Sequence, residues 1–307
     1  MRLNRLTVPQ NESRSFDLRH EVVSHFNNPW HFHPEIELNF VVASSGTRFI
    51  GQSVERFESG DIILLGKNLP HYWKNDNLFY QTDNSKPAEA IIVRFAEDFT
   101  GKDFFNLPET RSIQQLFEKA RHGLKLLEPL KTETAEGLMQ LLKKQGFEQL
   151  MSLLMILQKI ADSEHIEAIS PNYIPSLVLT KNNERLNKVI AHLLENFTQN
   201  IALGVVAELA NMNDAAFCRY FKTQTGQTLT QYVTDLRIRY ACDLLMKGEE
   251  SVTQICFQVG FENVSHFIQA FKKIRNQTPF EFRKSGGISQ TNFTAMGVKG
   301  YSREKNS

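Results

Sequence analysis

The C-terminal third of the chain contains a sequence repeat with an offset of fifty residues. FCRYFKTQTGQT at 217–228 aligns with FIQAFKKIRNQT at 267–278, so that Phe217 and Phe221 correspond to Phe267 and Phe271. Each copy follows a short segment with apolar residues at i, i+3, i+4 and i+7, which predicts an amphipathic helix. Each copy is therefore expected to form a helix, a turn and a second helix with phenylalanines in its core.

The predicted helix ends repeat as well. Asn213 and Asn263 stand where an N-cap is expected, and Gly226 and Asn276 stand where a left-handed C-terminal residue is expected. Gly260 can supply the positive φ of a tight interhelical turn. A helix-turn-helix presents its second helix to the DNA major groove, and two such units about 34 Å apart reach successive grooves. The repeat thus favours a DNA-binding double helix-turn-helix over a helical bundle with an accidental duplication.

The charge is unevenly distributed along the chain. Residues 1–180 carry 19 basic and 23 acidic side chains, a net charge of −4, whereas residues 181–285 carry 13 and 10, a net charge of +3. A mildly basic C-terminal part is compatible with a polyanionic partner.

Residues 238–283 carry a specific pattern: Ile238-Arg239-x2-Cys242-x-Leu244-Leu245, Ser251-Val252-x2-Ile255, Val259-Gly260-Phe261, His266-Phe267-x3-Phe271-Lys272-Lys273 and Thr278-Pro279-x-Glu281-Phe282-Arg283. This pattern resembles the DNA-binding domain of AraC-family transcription regulators. The resemblance implies a bacterial regulator whose two second helices read bases through Asp214, Ala215, Ala216, Cys218, Arg219, Asn263, Val264, Ser265, His266 and Gln269.

Arg219 is the strongest base-reading candidate, because a guanidinium can pair bidentately with guanine O6 and N7; a phosphate contact is the alternative. Gln269 stands where the family commonly has arginine, which shifts the expected preference from guanine toward adenine. Contacts to phosphates, or otherwise a solvated surface, are expected for Lys222, Lys272, Lys273 and Arg275.

Residues 1–105 have the pattern of short strands, with IILL at 62–65 and AIIVRF at 90–95 as buried runs. Several such strands punctuated by glycines predict an antiparallel barrel or sandwich. Within WHFHPEIELNF at 30–40, the side chains of His31, His33 and Glu37 are evenly spaced, so on one strand they would share a face. His71 follows in GDIILLGKNLPHYW at 60–73.

These residues resemble the cupin barrel, in which His-x-His-x3-Glu and a later histidine form a metal site. The resemblance implies an effector pocket formed by Trp30, His31, His33, Glu37, His71 and Trp73, with a divalent metal on His31, His33, Glu37 and His71 as a further possibility. Gly66 stands where the enzymes commonly have proline, which argues against catalysis. His31 could equally be a core histidine, and the aromatic residues could equally be core or suit a sugar ring.

From Ser112 onward the period is helical, and Leu150, Leu153, Leu154 and Leu157 form an apolar stripe. This stripe predicts packing on the barrel, a homodimer seam, or both at once. The helical pattern is broken by Ser170, Pro171 and Pro175, which indicates a linker before Arg185. The tail beyond residue 285 is polar and expected to be flexible.

We therefore expect an α+β multidomain protein: a cupin-like antiparallel β-barrel for the effector (1–105), a helical dimerisation segment (106–168), a linker (169–184), an all-α double helix-turn-helix (185–285) and a tail (286–307). A small-molecule effector, a sugar or sugar derivative, would control binding to promoter DNA, with RNA polymerase as a further candidate partner. The rivals are a cupin metalloenzyme with an accessory helical domain and an effector-independent DNA-binding regulator.

The composition excludes other classes. A hydrophobic fraction of 41% with 22% charged residues is globular rather than disordered. No apolar run approaches a membrane span and the N-terminus has no hydrophobic segment, so a cytoplasmic protein is expected. The three cysteines have long spacings, which fits reduced thiols rather than disulfides or zinc.

Overall fold

The computed structural model describes residues 4–6, 8, 14–51, 53–81, 86–171, 184–248 and 250–286. The chain divides into two compact units, Met1–Tyr240 and Ala241–Ser307. Among the helices of the described ranges, none has the length and apolarity to span a membrane. Most of the predicted linker and nearly all of the predicted tail lie outside the described residues.

The N-terminal part forms two β-sheets. Their strands are β1 (Asn4–Arg5), β2 (Phe16–Val23), β3 (His31–Phe32), β4 (Ile36–Ala43), β5 (Gly46–Ile50), β6 (Ser53–Phe57), β7 (Ile62–Leu65), β8 (His71–Asn75), β9 (Ala88–Phe95), β10 (Leu124–Leu126) and β11 (Ile166–Ala168). One sheet has the order β1-β3-β8-β5-β6 and the other β11-β10-β7-β4-β9-β2. All pairs are antiparallel except β1 with β3. We call the two sheets together the β domain.

The central strands β4, β7 and β9 of the six-stranded sheet are buried on both faces, which explains their continuous apolar runs. On β4, Ile36, Leu38 and Phe40 belong to a core shared with the following helices. Val41 of the same strand belongs to a second core, which it forms with Ile50 and other residues of the five-stranded sheet. Alternation along β4 therefore directs Glu37 and Asn39 to the side between the sheets.

The middle of the chain is helical, with α1 (Arg111–Ala120), α2 (Leu130–Leu141) and α3 (Gly146–Ala161). Short 3-10 turns lie at Asn77–Tyr80, Phe104–Asn106 and Pro108–Thr110. This segment also contributes β10 and β11 to the six-stranded sheet. The expected division at residue 105 therefore does not separate two cores.

The structure corrects half of the predicted dimer seam. Leu153 and Leu157 are 0% exposed and belong to the core shared with the sheet, so they cannot contact a second chain. Leu150 and Leu154 pack partly against the same core. The exposed apolar side chains of α3 are instead Phe147, Met151 and Met155. The sequence period located an apolar stripe but could not say which part of the helix circumference faces the chain's own sheet.

The C-terminal part consists of α4 (Glu184–Asn196), α5 (Leu203–Leu209), α6 (Asp214–Thr225), α7 (Leu229–Lys247), α8 (Val252–Gln258), α9 (Val264–Arg275) and α10 (Pro279–Lys284). The pairs α5–α6 and α8–α9 are the two predicted helix-turn-helix units. Antiparallel sheets, a helical middle and a C-terminal helical domain confirm the expected α+β multidomain class.

The helix ends match the predictions. The side chains of Asn213 and Asn263 accept hydrogen bonds from the backbone N–H groups of Ala216 and His266. The left-handed C-terminal residues are Gly226 at φ 74° and Asn276 at φ 57°, and Gly260 has φ 94° in the second turn. The four repeated phenylalanines, Phe217, Phe221, Phe267 and Phe271, are each 0% exposed.

Candidate ligand site and DNA-binding surface

A cluster of polar side chains lies buried between the two sheets. His31, His33, Glu37 and His71 are each exposed by 2% or less, as is Arg94. Pro34 interrupts the expected single strand, so His31 lies on β3, His33 follows that strand and Glu37 lies on β4. Strand pairing sets His31 opposite His71 on β8. We call these five residues the polar centre.

The three histidines are each anchored through Nδ1 to a backbone carbonyl two residues away. The Nδ1···O distances are 2.7 Å from His31 to Pro29, 3.1 Å from His33 to Glu35 and 2.7 Å from His71 to Leu69. A carbonyl oxygen only accepts, so Nδ1 donates in each case and Nε2 is left with a lone pair. The Nε2 atoms of His31 and His71 are buried without a hydrogen-bond partner. One ring nitrogen from each histidine lies within 4.8 Å of the others.

Glu37 is held mainly by other groups. Arg94 Nε donates to Glu37 Oε2 at 2.6 Å, and Asn39 Nδ2 donates to Oε1 at 3.1 Å. His33 Nε2 lies 3.1 Å from Oε2. With Nδ1 of His33 donating, this last contact joins two acceptors unless His33 carries a second proton or a cation lies between them.

The pKa values of the polar centre diverge. Burial lowers the pKa of His31 to about 4, although Glu37 opposes the shift. Burial, reinforced by His31, also holds the pKa of His71 well below its usual range. For Glu37, burial opposes ionisation, but the charge of Arg94 holds the pKa well below its usual range. The site thus combines an ionised Glu37–Arg94 pair with imidazoles at positions 31 and 71 that are neutral near pH 7.

A small cavity opens beside the polar centre. Its volume is about 20 Å³, and it is lined by Glu21, Phe26, Asn28, His31, Glu37, Asn39, Trp73, Ala90, Ile92 and Arg94. Of the predicted pocket residues, His31, Glu37 and Trp73 line this cavity, while His33 and His71 join them through the histidine cluster. Trp30 is buried but does not line it. Sequence reasoning missed Arg94, although a lone arginine inside the apolar run AIIVRF is a signal that could have found it.

The second helix of the first unit, α6, presents a polar face. Asp214, Ala215, Cys218 and Arg219 are exposed, and Ala216 is half-buried. Cys218 is exposed, Cys242 and Cys256 are buried, and these three cysteines form no disulfide. Lys222 is exposed in the last turn of this helix. The predicted base-reading and phosphate-binding side chains of α6 are therefore accessible on one helix.

The second helix of the second unit, α9, is arranged similarly. Ser265, His266 and Gln269 are exposed, and Val264 is half-buried. Asn263 is exposed, but its side-chain oxygen caps the helix, which leaves only its amide NH₂ to contact a base. In the last turn Lys272 and Lys273 are exposed and Arg275 is half-buried. This turn therefore carries a cluster of basic side chains.

The helical region matches a protein family described as "Helix-turn-helix domain" over residues 206–285. A curated regulator of Bacillus subtilis, YdeC, is 31% identical over 102 residues, which is 33% of this chain and 35% of that relative. The transcriptional activator RhaS of Klebsiella pneumoniae is 29% identical over 263 residues, which is 83% of this chain and 87% of RhaS. Among solved structures, ToxT of Vibrio cholerae is 16% identical with a TM-score of 0.32, covering 88% of this chain and 97% of ToxT.

The duplicated helix-turn-helix, its repeated caps, the helix-turn-helix family match and the similarity to RhaS indicate a DNA-binding regulator of transcription. The chain is thus similar to helix-turn-helix transcription regulators, RhaS among them. The matched relatives are transcription regulators, so the metalloenzyme alternative is set aside.

Proposed function

We propose that this AraC-type regulator controls transcription in response to a ligand in the β domain, and that the ligand site is the polar centre. The observation that carries the proposal is the convergence of three histidines whose Nδ1 atoms are all committed to backbone carbonyls. Buried polar atoms are rarely left without partners, and those that are need an explanation. A ligand that accepts the lone pairs of these Nε2 atoms would explain why they have no partner within the chain.

A divalent transition metal fits these donors. Imidazole suits zinc, copper, iron and nickel, and a metal-binding histidine commonly donates its other N–H to a carbonyl or carboxylate, as here. His31, His33 and His71 would hold the ion through Nε2. Glu37 adds negative charge beside it, and Arg94 keeps that carboxylate oriented.

The cavity volume favours an ion over a sugar. About 20 Å³ is room for one water molecule or one ion, whereas pockets for organic ligands measure about 300–1,000 Å³. A sugar would bind only after the sheets separate beside Trp73. We therefore place a metal first and retain a sugar or sugar derivative as the second ligand class.

Metal content of the full-length protein tests the proposal. After incubation with zinc and gel filtration, we expect about one ion per chain by mass spectrometry, and loss of that ion in His33→Ala and His71→Ala. His165→Ala is the matched control, because His165 is exposed and outside the cluster. Equal zinc content in all four proteins would reject the metal site. Stabilisation by a sugar without metal, read as a higher unfolding midpoint, would support the second ligand class.

The DNA contacts are proposed from the exposed faces of α6 and α9. The base-reading set is Asp214, Ala215, Ala216, Cys218, Arg219, Asn263, Val264, Ser265, His266 and Gln269, and the phosphate-binding set is Lys222, Lys272, Lys273 and Arg275. The location of Lys272 and Lys273 at the C-terminal end of a helix also stabilises that helix, since cations favour that end of the dipole.

Promoter DNA in the cytoplasm is the proposed target, with RNA polymerase as a further partner. A homodimer remains the proposed assembly, with the contact assigned to the exposed face of Phe147, Met151 and Met155 together with the partly buried Leu150 and Leu154. Apolar side chains exposed side by side on one helix favour burial against a second surface.

A further inference from the structure

Strand β8 contributes to the polar centre on one face and to a covered surface on the other. Its inward side chains include His71 of the polar centre and Trp73, which lines the cavity. Because side chains alternate along a strand, Tyr72 and Lys74 point to the opposite face. On the neighbouring strand β5, Phe49 pairs with Tyr72 and lies on that same outer face.

The outer face is covered by the chain itself. Phe49 is 1% exposed although it points away from the interior between the sheets. Its ring stacks on Tyr72 with centroids 5.6 Å apart, and the ring of Phe197 meets it edge-on at 6.2 Å. Lys74 Nζ donates to the backbone carbonyl of Glu195 at 3.5 Å. Burial raises the pKa of Tyr72 to about 12, which agrees with a covered ring.

Phe197, which follows the last residue of α4, is in turn fixed to the helix-turn-helix domain. Its ring contacts Tyr240 of α7 edge-on at 5.5 Å. Arg237, also on α7, donates through Nε to the Phe197 carbonyl at 2.6 Å and through Nη2 to the Gln199 carbonyl at 2.7 Å. The residue that touches the β domain is thus held by the long helix between the two DNA-binding units.

We infer that the outer face of β5 and β8, formed by Phe49, Tyr72 and Lys74, is an intramolecular docking surface for the C-terminal end of α4, and that β8 couples this contact to ligand at the polar centre. The coupling rests on the proposed function, whereas the docking contact does not. His71 and Tyr72 are consecutive residues of β8, so a displacement of the backbone at His71 also moves Tyr72. Ligand then changes the docking equilibrium by its difference in affinity for the docked and undocked arrangements.

Hydrogen–deuterium exchange of the full chain tests the docking contact without any ligand. Tyr72→Glu removes the ring and brings a carboxylate near Glu195, and Lys74→Glu alters an exposed side chain whose replacement leaves the sheet core intact. We expect amides of α4 to exchange about three to ten times faster in both variants, as the loss of one aromatic or charge contact predicts. Tyr72→Phe keeps the stacked ring and should match the wild type.

Val22→Glu serves as a matched control, because Val22 is an exposed apolar residue on β2. It should leave exchange in α4 unchanged. Unchanged exchange in both Tyr72→Glu and Lys74→Glu would overturn the docking contact, and so would an equal acceleration in Val22→Glu.

Adding zinc to the same proteins tests the coupling. In the wild type, zinc should protect the segment around His31 and His71 and also change exchange in α4 by about threefold or more. In Tyr72→Glu, zinc should still protect the segment around His31 and His71 but should no longer change exchange in α4. Zinc protection confined to the β domain of the wild type would overturn the coupling. Absence of zinc binding would overturn the metal ligand and the coupling together, while the variants alone would still decide the docking contact.

Discussion

Replacing Arg94 with leucine isolates the energetic role of the buried ion pair in the polar centre. Arg94 and Glu37 are 2% and 1% exposed, and their contact is 2.6 Å. Removal of one partner of a buried pair costs about 3–5 kcal/mol, because it leaves an uncompensated charge. Asn39 and His33 still contact Glu37, so we expect the lower end, about 3 kcal/mol.

Tryptophan fluorescence makes the measurement specific to the β domain. The chain has two tryptophans, Trp30 and Trp73, and both are buried there. With a urea dependence of about 2 kcal/mol per molar, the loss of about 3 kcal/mol lowers the unfolding midpoint by roughly 1.5 M. Arg19→Leu is the control: its pair with Asp17 is half-exposed, and a surface pair contributes about 0–1 kcal/mol.

The pH dependence gives a second, independent reading of the same substitution. In the wild type the pKa of Glu37 is depressed, so its stabilising effect is present above the unfolded pKa and is lost as the pH falls. Without Arg94, burial raises the pKa of Glu37, and the cost of the orphaned charge falls as the carboxylate is protonated. The difference between Arg94→Leu and wild type should therefore narrow from pH 7 to pH 5.

The double variant Glu37→Gln/Arg94→Leu completes the test. It should recover much of the lost stability, because no charge then remains buried. A shift in Arg94→Leu no larger than that in Arg19→Leu, or a difference that widens on acidification, would refute the reasoning.

Three further outcomes are expected. With chelator present, acidification from pH 6.5 to 4 should lower the free energy of unfolding of the β domain by about 3 kcal/mol through His31 alone. The reason is that the pKa of His31 is lowered from 6.5 to about 4 in the folded protein, so the unfolded chain takes up the proton first. A free energy of unfolding, measured by fluorescence, that stays constant over this range would contradict the burial argument. Arg219→Ala should weaken binding to an operator selected in vitro by about 1–3 kcal/mol. Lys272→Ala should weaken binding to DNA of every sequence and reduce the slope of log affinity against log salt concentration by about one. If each variant lost equal affinity for specific and random DNA, that result would count against these roles. Phe147→Glu with Met155→Glu should yield monomers in sedimentation velocity, and an unchanged dimer would remove this face from the proposed interface.

The double helix-turn-helix was predictable because its determinants are local. Caps such as Asn213, left-handed residues such as Gly226 and buried positions such as Phe217 act within a few residues of their own helix. Each of these determinants occurs in both copies of the repeat, so the two copies support the same prediction independently.

The dimer seam shows where the same reasoning fails. Helical periodicity identifies an apolar face, but burial within a chain and burial between chains produce the same period. Only the packing of α3 on the six-stranded sheet reveals that Leu153 and Leu157 are already covered and that Met155 is not. The strands β10 and β11 were missed for a related reason, since three-residue strands between helices have no period to detect.

The amino-acid sequence by itself determined the duplicated DNA-binding region, the helix ends and the residue types of a histidine-rich site, because these depend on short-range spacing and backbone chemistry. Tertiary structure alone decided that Arg94 neutralises Glu37 and that ring nitrogens of three histidines converge beside a cavity of about 20 Å³. It also decided that β8 touches α4 on its other face. Those features join strands and helices distant along the chain, and their geometry follows from how sheets pair and pack rather than from any local pattern.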